Sequence, residues 1–352
     1  MQRALKIILT TLFTLLSITL FTFILVWLAP SDAAEQLLLG TGLLPSNATV
    51  EALRHDLGLD RSLPVQYISW LVSLLHGDMG TSYSTGVAVW DSLAPATLRT
   101  LTLGFWAFLI TVIVSLPLGI LCAMYRGKTL DKVIRIVTYV LAAIPSFVVG
   151  LALLYFLSEK NNILPSIANN HTGGLIMPVT VLSLSSIVWM VRQIRTIMIE
   201  KMGEPYLVGL RARGIEEYYI VLFYVLKNSM VPIVTSYGIC FGSMLGGAAI
   251  VEQIFTWSGL GRVVLHAISM RDYPIILGFA IWIALIYCVI NAVVDLLYGV
   301  FDPRIRKGQA EHTLSKRRKK RLLSKACEAS TATADSNFKN MQKCKEVEKL
   351  HE

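Results

Sequence analysis

Nucleotide chemistry needs a loop that cradles phosphate, and the one approach to it in this chain is Arg126-Gly-Lys-Thr129. The Gly-Lys-Thr ending is right. But Cys122 stands where the first glycine belongs, and an apolar run rather than a strand leads into it, so no backbone nest for phosphate is expected. Metal chemistry fares no better. His55, His76, His171, His266, His312 and His351 never fall four apart on one helix, and the five cysteines lack zinc or Cys-x-x-Cys spacing. Cys122, Cys240 and Cys288 lie in apolar runs and Cys327 and Cys344 near the C-terminus; all five are read as free thiols. Thr256-Trp-Ser-Gly259 places a serine beside glycine, as intramembrane serine proteases do, yet Thr256 occupies the place of a preceding glycine. No catalytic residue, bound cofactor or metal site is therefore expected. What remains is a polar stretch between two apolar runs, Glu200 to Pro232, rich in charges and able to dock a soluble partner. Gly203 stops one helix, Glu204 and Pro205 suit the start of the next, and Gly214 suits its left-handed end, with Arg211 and Arg213 in the last turn.

The elements that carry this stretch are membrane helices. With 54% hydrophobic and 16% charged residues among 352, the chain is too apolar for a soluble domain of its length. Ile7–Leu28 is an uncharged run long enough to cross a hydrocarbon core of about 30 Å. A signal peptide competes for this run, but its length favours an uncleaved span. Further runs at Leu98–Met124, Val133–Leu157, Leu175–Met198, Met230–Ile250 and Ile275–Val300 make six spans. Lys and Arg concentrate beside the second and fourth loops (Arg126, Lys128, Lys132, Arg135; Arg192, Arg195, Lys201, Arg211, Arg213, Lys227), which places both termini and the Glu200–Pro232 stretch in the cytoplasm. Residues 31–97 form an extracytoplasmic segment in which an amphipathic helix from Pro64 to His76 lies along the membrane, with Trp70 at the interface.

The net charge of +9 belongs to the C-terminus: from Arg304 onward there are 14 Lys/Arg against 6 Asp/Glu, leaving 18 against 17 before it. Residues 307–352 read as a disordered basic cytoplasmic tail. Its Lys316-Arg-Arg-Lys-Lys-Arg321 cluster suits anionic membrane lipid, at about 1 kcal/mol per charge, rather than nucleic acid.

Glu204, Tyr206, Arg211-Ala212-Arg213-Gly214, then Leu226-Lys227-Asn228 and Pro232 resemble the cytoplasmic signature loop of bacterial ABC importer permeases, in particular the peptide/nickel branch. Gly58–Tyr67, Gly77–Tyr83, Val251–Arg262, Arg271-Asp-Tyr-Pro274 and Asp302-Pro-Arg304 resemble the same branch, so the likeness spans about residues 1 to 306. Tyr224 stands where histidine is usual, Leu210 where a small residue is common, and Ser258 where proline is usual. The resemblance implies an all-α integral membrane protein of the type I ABC importer permease fold: residues 1–30 the first span, 31–97 extracytoplasmic, 98–306 a five-helix core with the coupling loop at 200–232. It implies an inner-membrane subunit without enzymatic activity of its own. Expected partners are a second, homologous but distinct permease chain, two ATPases that bind ATP and Mg2+, and an extracytoplasmic substrate-binding protein. On that reading Glu204, Tyr206, Arg211, Ala212, Arg213, Gly214, Lys227 and Asn228 couple to the ATPase. Thr235, Ser236, Ser243, Gly246 and Gly247 are candidates for the translocation path, with close helix packing as the competing reading for each. Asp295 near the end of the sixth span is either functional or paired at the interface. An ATP-independent secondary transporter is the alternative function, although neither internal repeats nor midplane ionisable groups support it. Gly80-Thr-Ser-Tyr83, Asn162-Ile-Leu-Pro165, Gly246-Gly247 and Val251–Phe255 resemble the metal-importing members more than the peptide members, so nickel or a metal chelate ranks above short peptides as substrate.

Overall fold

The computed structural model describes residues 2–28, 33–40, 46–167 and 173–301. The basic C-terminal segment, Asp302-Pro-Arg304 and the side chain of Asp295 lie outside the described part. The chain divides into two units, Met1–Val294 and Asp295–Glu352, and the contacts below belong to the first.

The elements are helices: α1 Gln2–Leu28, α2 Ala33–Gly40, α3 Asn47–Asp56, α4 Leu63–Leu75, α5 Val89–Met124, α6 Thr129–Ala143, α7 Ser146–Leu153 with a π-helical extension to Lys160, α8 Ile176–Met202, α9 Tyr206–Ala212, α10 Glu217–Ile254, α11 Leu260–Ser269 and α12 Tyr273–Phe301. Within α10, Ile220–Val225 is π-helical. Four helices, α5, α8, α10 and α12, are long and apolar enough to span a membrane on their described residues. The pair α6 and α7 makes a fifth if counted as one broken span. The first expected span, Ile7–Leu28, corresponds to α1, whose apolar part Phe13–Leu28 is shorter than the four spans.

The expected span Val133–Leu157 is not straight. It bends by 88° between α6 and α7. Pro145 disfavours helical geometry in the residue before it, and Ile144 accordingly lies in the extended region at φ −90°, ψ 120°. The core is built by α5, α8 and α10, whose apolar faces meet around Leu103, Met190, Ile194, Ile233 and Met244. A Cβ on Gly119 would sit 2.7 Å from Ile194, so glycine is what lets α5 approach α8 this closely. Between α5 and α10, the buried hydroxyls of Ser115 and Tyr237 pair at 2.8 Å.

At one end of α8, Arg195 grips Asp131 of α6 with two hydrogen bonds, 2.7 Å from Nε and 2.9 Å from an Nη, while the N–H of Gly127 donates to the same carboxylate at 2.9 Å. Asp131 is fully buried, and the Arg195 side chain is 19% exposed. Such a pair matters chiefly through the cost of breaking it, because the survivor is left charged and underpaired. We expect Asp131→Asn to lower stability by about 2 kcal/mol, the buried-pair penalty reduced for the solvent that still reaches Arg195. Thermal unfolding of the solubilised protein measures it.

The extracytoplasmic segment is ordered by local caps and long-range anchors. Ser46 and Thr49 form a reciprocal capping box at the start of α3. In α4, Val65, Ile68, Val72 and Leu75 are exposed, as an apolar face along a membrane surface would be. The Trp70 ring lies tilted against Tyr67, whose own ring packs on Phe23 of α1, and the Trp70 indole N–H is buried. Asp272, 1% exposed, accepts hydrogen bonds from the hydroxyls of Ser82 and Ser84 and from the N–H groups of Tyr83 and Ser84. That one carboxylate ties the Gly77–Tyr83 motif to the Arg271–Pro274 motif.

Candidate functional site

The polar stretch after α8 folds as its punctuation dictates. α8 ends at Met202, Pro205 precedes α9 in helical conformation, and α9 closes after Ala212. Gly214 has φ +76°, its N–H bonds to Arg211 O at 2.9 Å, and the N–H of Ile215 bonds to Leu210 O at 3.4 Å. These are the two bonds of a Schellman cap, and Leu210 and Ile215 supply the apolar pair that accompanies it, both packed against the core. Leu210, unusual for the signature, thus has a place in the cap.

Across the turn the Arg211 guanidinium holds Glu217 in a bidentate grip at 2.9 and 2.7 Å. The carboxylate raises the arginine pKa further above its ordinary value through the hydrogen bond first and the charge attraction second. Both groups are half exposed, so the pair fixes geometry more than it adds stability. Asn228 donates to the Tyr206 hydroxyl at 2.8 Å, joining the start of α9 to α10, and Lys201 pairs with Glu204 at 2.9 Å. Six of the eight sequence-designated coupling residues therefore form one unit: Glu204 at its entrance, Tyr206 and Asn228 across its base, Arg211, Ala212 and Gly214 around its turn. Arg213 and Lys227 stand exposed beside it. The outward face, with Tyr206, Val208, Tyr218, Tyr219 and Phe223 all more than 40% exposed, is apolar and aromatic rimmed by charge, the composition of a protein-docking surface.

The expected translocation residues divide. Ser243 and Gly247 line a cleft of 230 Å³ between α7, α8 and α10, together with Ser146, Ser185, Ser186 and Trp189. Thr235, Ser236 and Gly246 do not line it. Thr235 and Ser236 return their hydroxyls to carbonyls of their own helix, Val231 and Pro232, at 2.9 Å each. A Cβ on Gly246 or Gly247 would meet nothing within 4 Å, so neither glycine serves close packing within this chain. Gly242 does: a Cβ there would lie 2.8 Å from the Tyr287 ring. The serines on α8 went unnoticed in the sequence, although Ser183, Ser185 and Ser186 interrupt an otherwise apolar run.

A second unnoticed feature is Glu252. It is fully buried, accepts from Thr100 at 2.6 Å, and accepts the N–H groups of Gly261 and Arg262 at 2.8 and 3.3 Å. The motif Val251–Arg262 is thus a turn packed around its own acid, not a surface loop.

A helical membrane body, a clamped polar helix-turn on one exposed face and a small polar cleft agree with what comparison finds. Residues 115–307 match the family described as binding-protein-dependent transport system inner membrane component, and residues 1–104 match the N-terminal part of such membrane components. The chain belongs to that family. It is a permease subunit of an ABC importer, a transport component without enzymatic activity. It is 35% identical over 323 residues to the probable D,D-dipeptide transport system permease protein DdpB of Escherichia coli K12, covering 84% of this chain and 94% of the relative. It is 32% identical over 324 residues to the dipeptide transport system permease protein DppB of the same organism, covering 83% and 95%. The glutathione transport system permease protein GsiC of Pectobacterium atrosepticum is 33% identical over 293 residues, covering 83% and 95%. Membership decides against the ATP-independent secondary transporter.

Proposed function

We propose that this permease imports short peptides across the cytoplasmic membrane, with both termini in the cytoplasm and the α9 unit docking a separate ATPase. The observation that carries the coupling role is the α9 unit itself: a short helix seated on the core through Leu207 and Leu210, with its exposed side braced by the Arg211–Glu217 grip, the Gly214 cap and the Tyr206–Asn228 bond. A rigid lever on an exposed face transmits motion from a soluble motor to α8 and α10, the helices that flank it and line the serine cleft. ATP and Mg2+ act in two ATPase partners, a second and distinct permease chain completes the pathway, and an extracytoplasmic binding protein delivers the solute. Selectivity then lies mainly with that binding protein.

Peptides rank first because the relatives are named for dipeptide, D,D-dipeptide and glutathione transport. This reverses the order suggested by Gly80–Tyr83, Asn162–Pro165 and Val251–Phe255, whose likeness favours nickel or a metal chelate. Uptake decides between them. Cells with and without this chain are given a radiolabelled dipeptide and radiolabelled nickel. We expect dipeptide uptake to fall to background without the chain and nickel uptake to stay unchanged. The opposite pair of results restores the metal reading.

A further inference from the structure

α6 is held to the rest of the chain by charge rather than by apolar packing. All 15 of its residues are described, and the buried ones are Asp131 and Thr138. None is among the described residues of the apolar core, while Leu130, Val133, Ile136, Val137 and Val140 stand exposed. The Thr138 hydroxyl returns to the carbonyl of Arg135 at 2.9 Å. The described side-chain links to α8 are the bidentate grip of Arg195 on Asp131 and, on the same face of α8, the Arg192 guanidinium 5.8 Å from the centre of the Tyr139 ring. At its other end α6 meets a joint. Ile144 is extended, and α7 beyond it is seated separately, with Val149 and Leu153 against the core and Gly150 close enough to α10 that a Cβ would touch Ile254 at 3.5 Å. Ser146, on the far side of the joint, lines the serine cleft. α6 is thus a strut of ~18 Å between Asp131 and Ala143, pinned to α8 at one end and hinged beside the cleft at the other. α8 itself runs unbroken from the cleft residues Ser185 and Ser186, past Arg195, to Met202, where residues 203–205 lead into α9.

A buried ion pair is a weak way to add stability, because apolar side chains of similar volume hold two helices at least as well. What the charges add is direction. A forked guanidinium on a carboxylate admits one register and one distance, and α6 has no core side chain that would fix either. We propose that Arg195 and Asp131 are a positioning pair for transport, which makes α6 follow α8 whenever the docked α9 unit moves. The displacement is taken up at Ile144, where the angle between α6 and α7 changes and the cleft beside Ser146 opens or closes. α6 and α8 move as one body. This role presupposes that α9 couples to the ATPase, and it carries that motion on to the broken span.

The test uses the importer purified with its partners and reconstituted in liposomes. Spin labels on Val137→Cys and Thr196→Cys report α6 against α8, and labels on Val137→Cys and Leu151→Cys report α6 against α7; all three positions are exposed, and the native cysteines are replaced by alanine. Between the nucleotide-free and vanadate-trapped states we expect the first distance to stay constant and the second to change. Arg195→Gln should leave the complex assembled and hydrolysing ATP, abolish the response of the second distance, and lower dipeptide uptake per ATP hydrolysed at least ~10-fold, a loss within the range of couplings between sites. Arg195→Lys, which keeps the charge but not the fork, should fall between wild type and Arg195→Gln. A pair that served stability alone would lower the yield and the unfolding midpoint of the complex and leave uptake per ATP unchanged in what survives, and that result overturns the proposal. So does an α6–α8 distance that changes on trapping, or an α6–α7 distance that does not. If Arg195→Gln yields no assembled complex, Arg195→Lys and the two distances decide. Gly214→Val separates this role from the one it presupposes. Normal transport by that variant removes the coupling role of α9, whereas an inactive Gly214→Val beside an Arg195→Gln with wild-type uptake per ATP removes the strut alone.

Discussion

Gly214→Val reduces transport to background while membrane insertion and the helical content of the protein stay as they were. At φ +76° a side chain meets the following carbonyl, at a cost of about 1–2 kcal/mol for an ordinary L-residue and more for a β-branched one. Nothing else lies within 4 Å of a Cβ placed there, so the whole penalty falls on the backbone turn and none on packing. The turn relieves it by leaving the left-handed region. That breaks the two capping bonds to Leu210 and Arg211 and swings Arg211 away from Glu217. The core, built by α5, α8 and α10, is untouched, and for this reason insertion survives while docking does not. A graded series separates this account from simple damage. Gly214→Asn should keep most of the uptake, since asparagine tolerates the left-handed region, Gly214→Ala should fall between, and Gly214→Val should be inactive. Labelled-solute uptake together with co-purification of the ATPases measures both halves. Wild-type uptake by Gly214→Val with its ATPases bound would falsify the coupling role of the turn.

The α9 unit was legible because its boundaries are set by local chemistry. Gly203, Pro205 and Gly214 act through their own backbone preferences, and the helix observed, Tyr206–Ala212, starts one residue after Pro205 and ends two before Gly214. Four of the six apolar runs, and a fifth as a broken pair, were legible for a similar reason: composition over twenty residues needs no partner to be read. What escaped depends on which face of a helix meets which neighbour. Gly246-Gly247, read as path candidates with close packing as the competing reading, both face open space, while the close approaches fall at Gly119 and Gly242; each sits in a run of small residues four apart, Ser115/Gly119/Ala123 and Gly238/Gly242/Gly246, but such a run does not say which of its members meets a neighbour. Pro145 was visible, but a proline within an apolar run bends one helix gently or breaks it outright according to the packing on either side. Here Ile144 becomes extended and the direction changes by 88°. Glu252 shows no role in its own motif, because its partner Thr100 lies 152 residues away.

That partnership yields the second large effect. Gly259 occupies the cap position of α11, where serine, threonine or aspartate would normally accept the first free N–H groups. It has no side chain to do so, and none would fit, since a Cβ there would overlap the Glu252 carboxylate and the Thr100 hydroxyl. The cap comes instead from outside the helix: Thr100 accepts from Leu260 N at 2.8 Å, and Glu252 accepts from Gly261 and Arg262. Gly261 is fixed by the same packing, because a Cβ on it would run into the backbone of Ala249. Glu252→Leu keeps the bulk of the side chain but leaves three buried donors, the Thr100 hydroxyl and the N–H groups of Gly261 and Arg262, without an acceptor. At about 1–3 kcal/mol for each unsatisfied group the loss is on the order of 5 kcal/mol, a large share of the stability of a single domain. Glu252→Gln should cost less, since its carbonyl still accepts the two N–H groups and only the Thr100 contact must be remade with the amide as donor. Thr100→Val, which removes the bond to Glu252 and the acceptor for Leu260 N, should fall between the two. The expected order of thermal unfolding midpoints in detergent is therefore wild type, Glu252→Gln, Thr100→Val, Glu252→Leu, with uptake following the same order. A Glu252→Leu protein that unfolds at the wild-type temperature would mean that water or a shifted α11 satisfies those donors, and that the buried acid does not cap the helix.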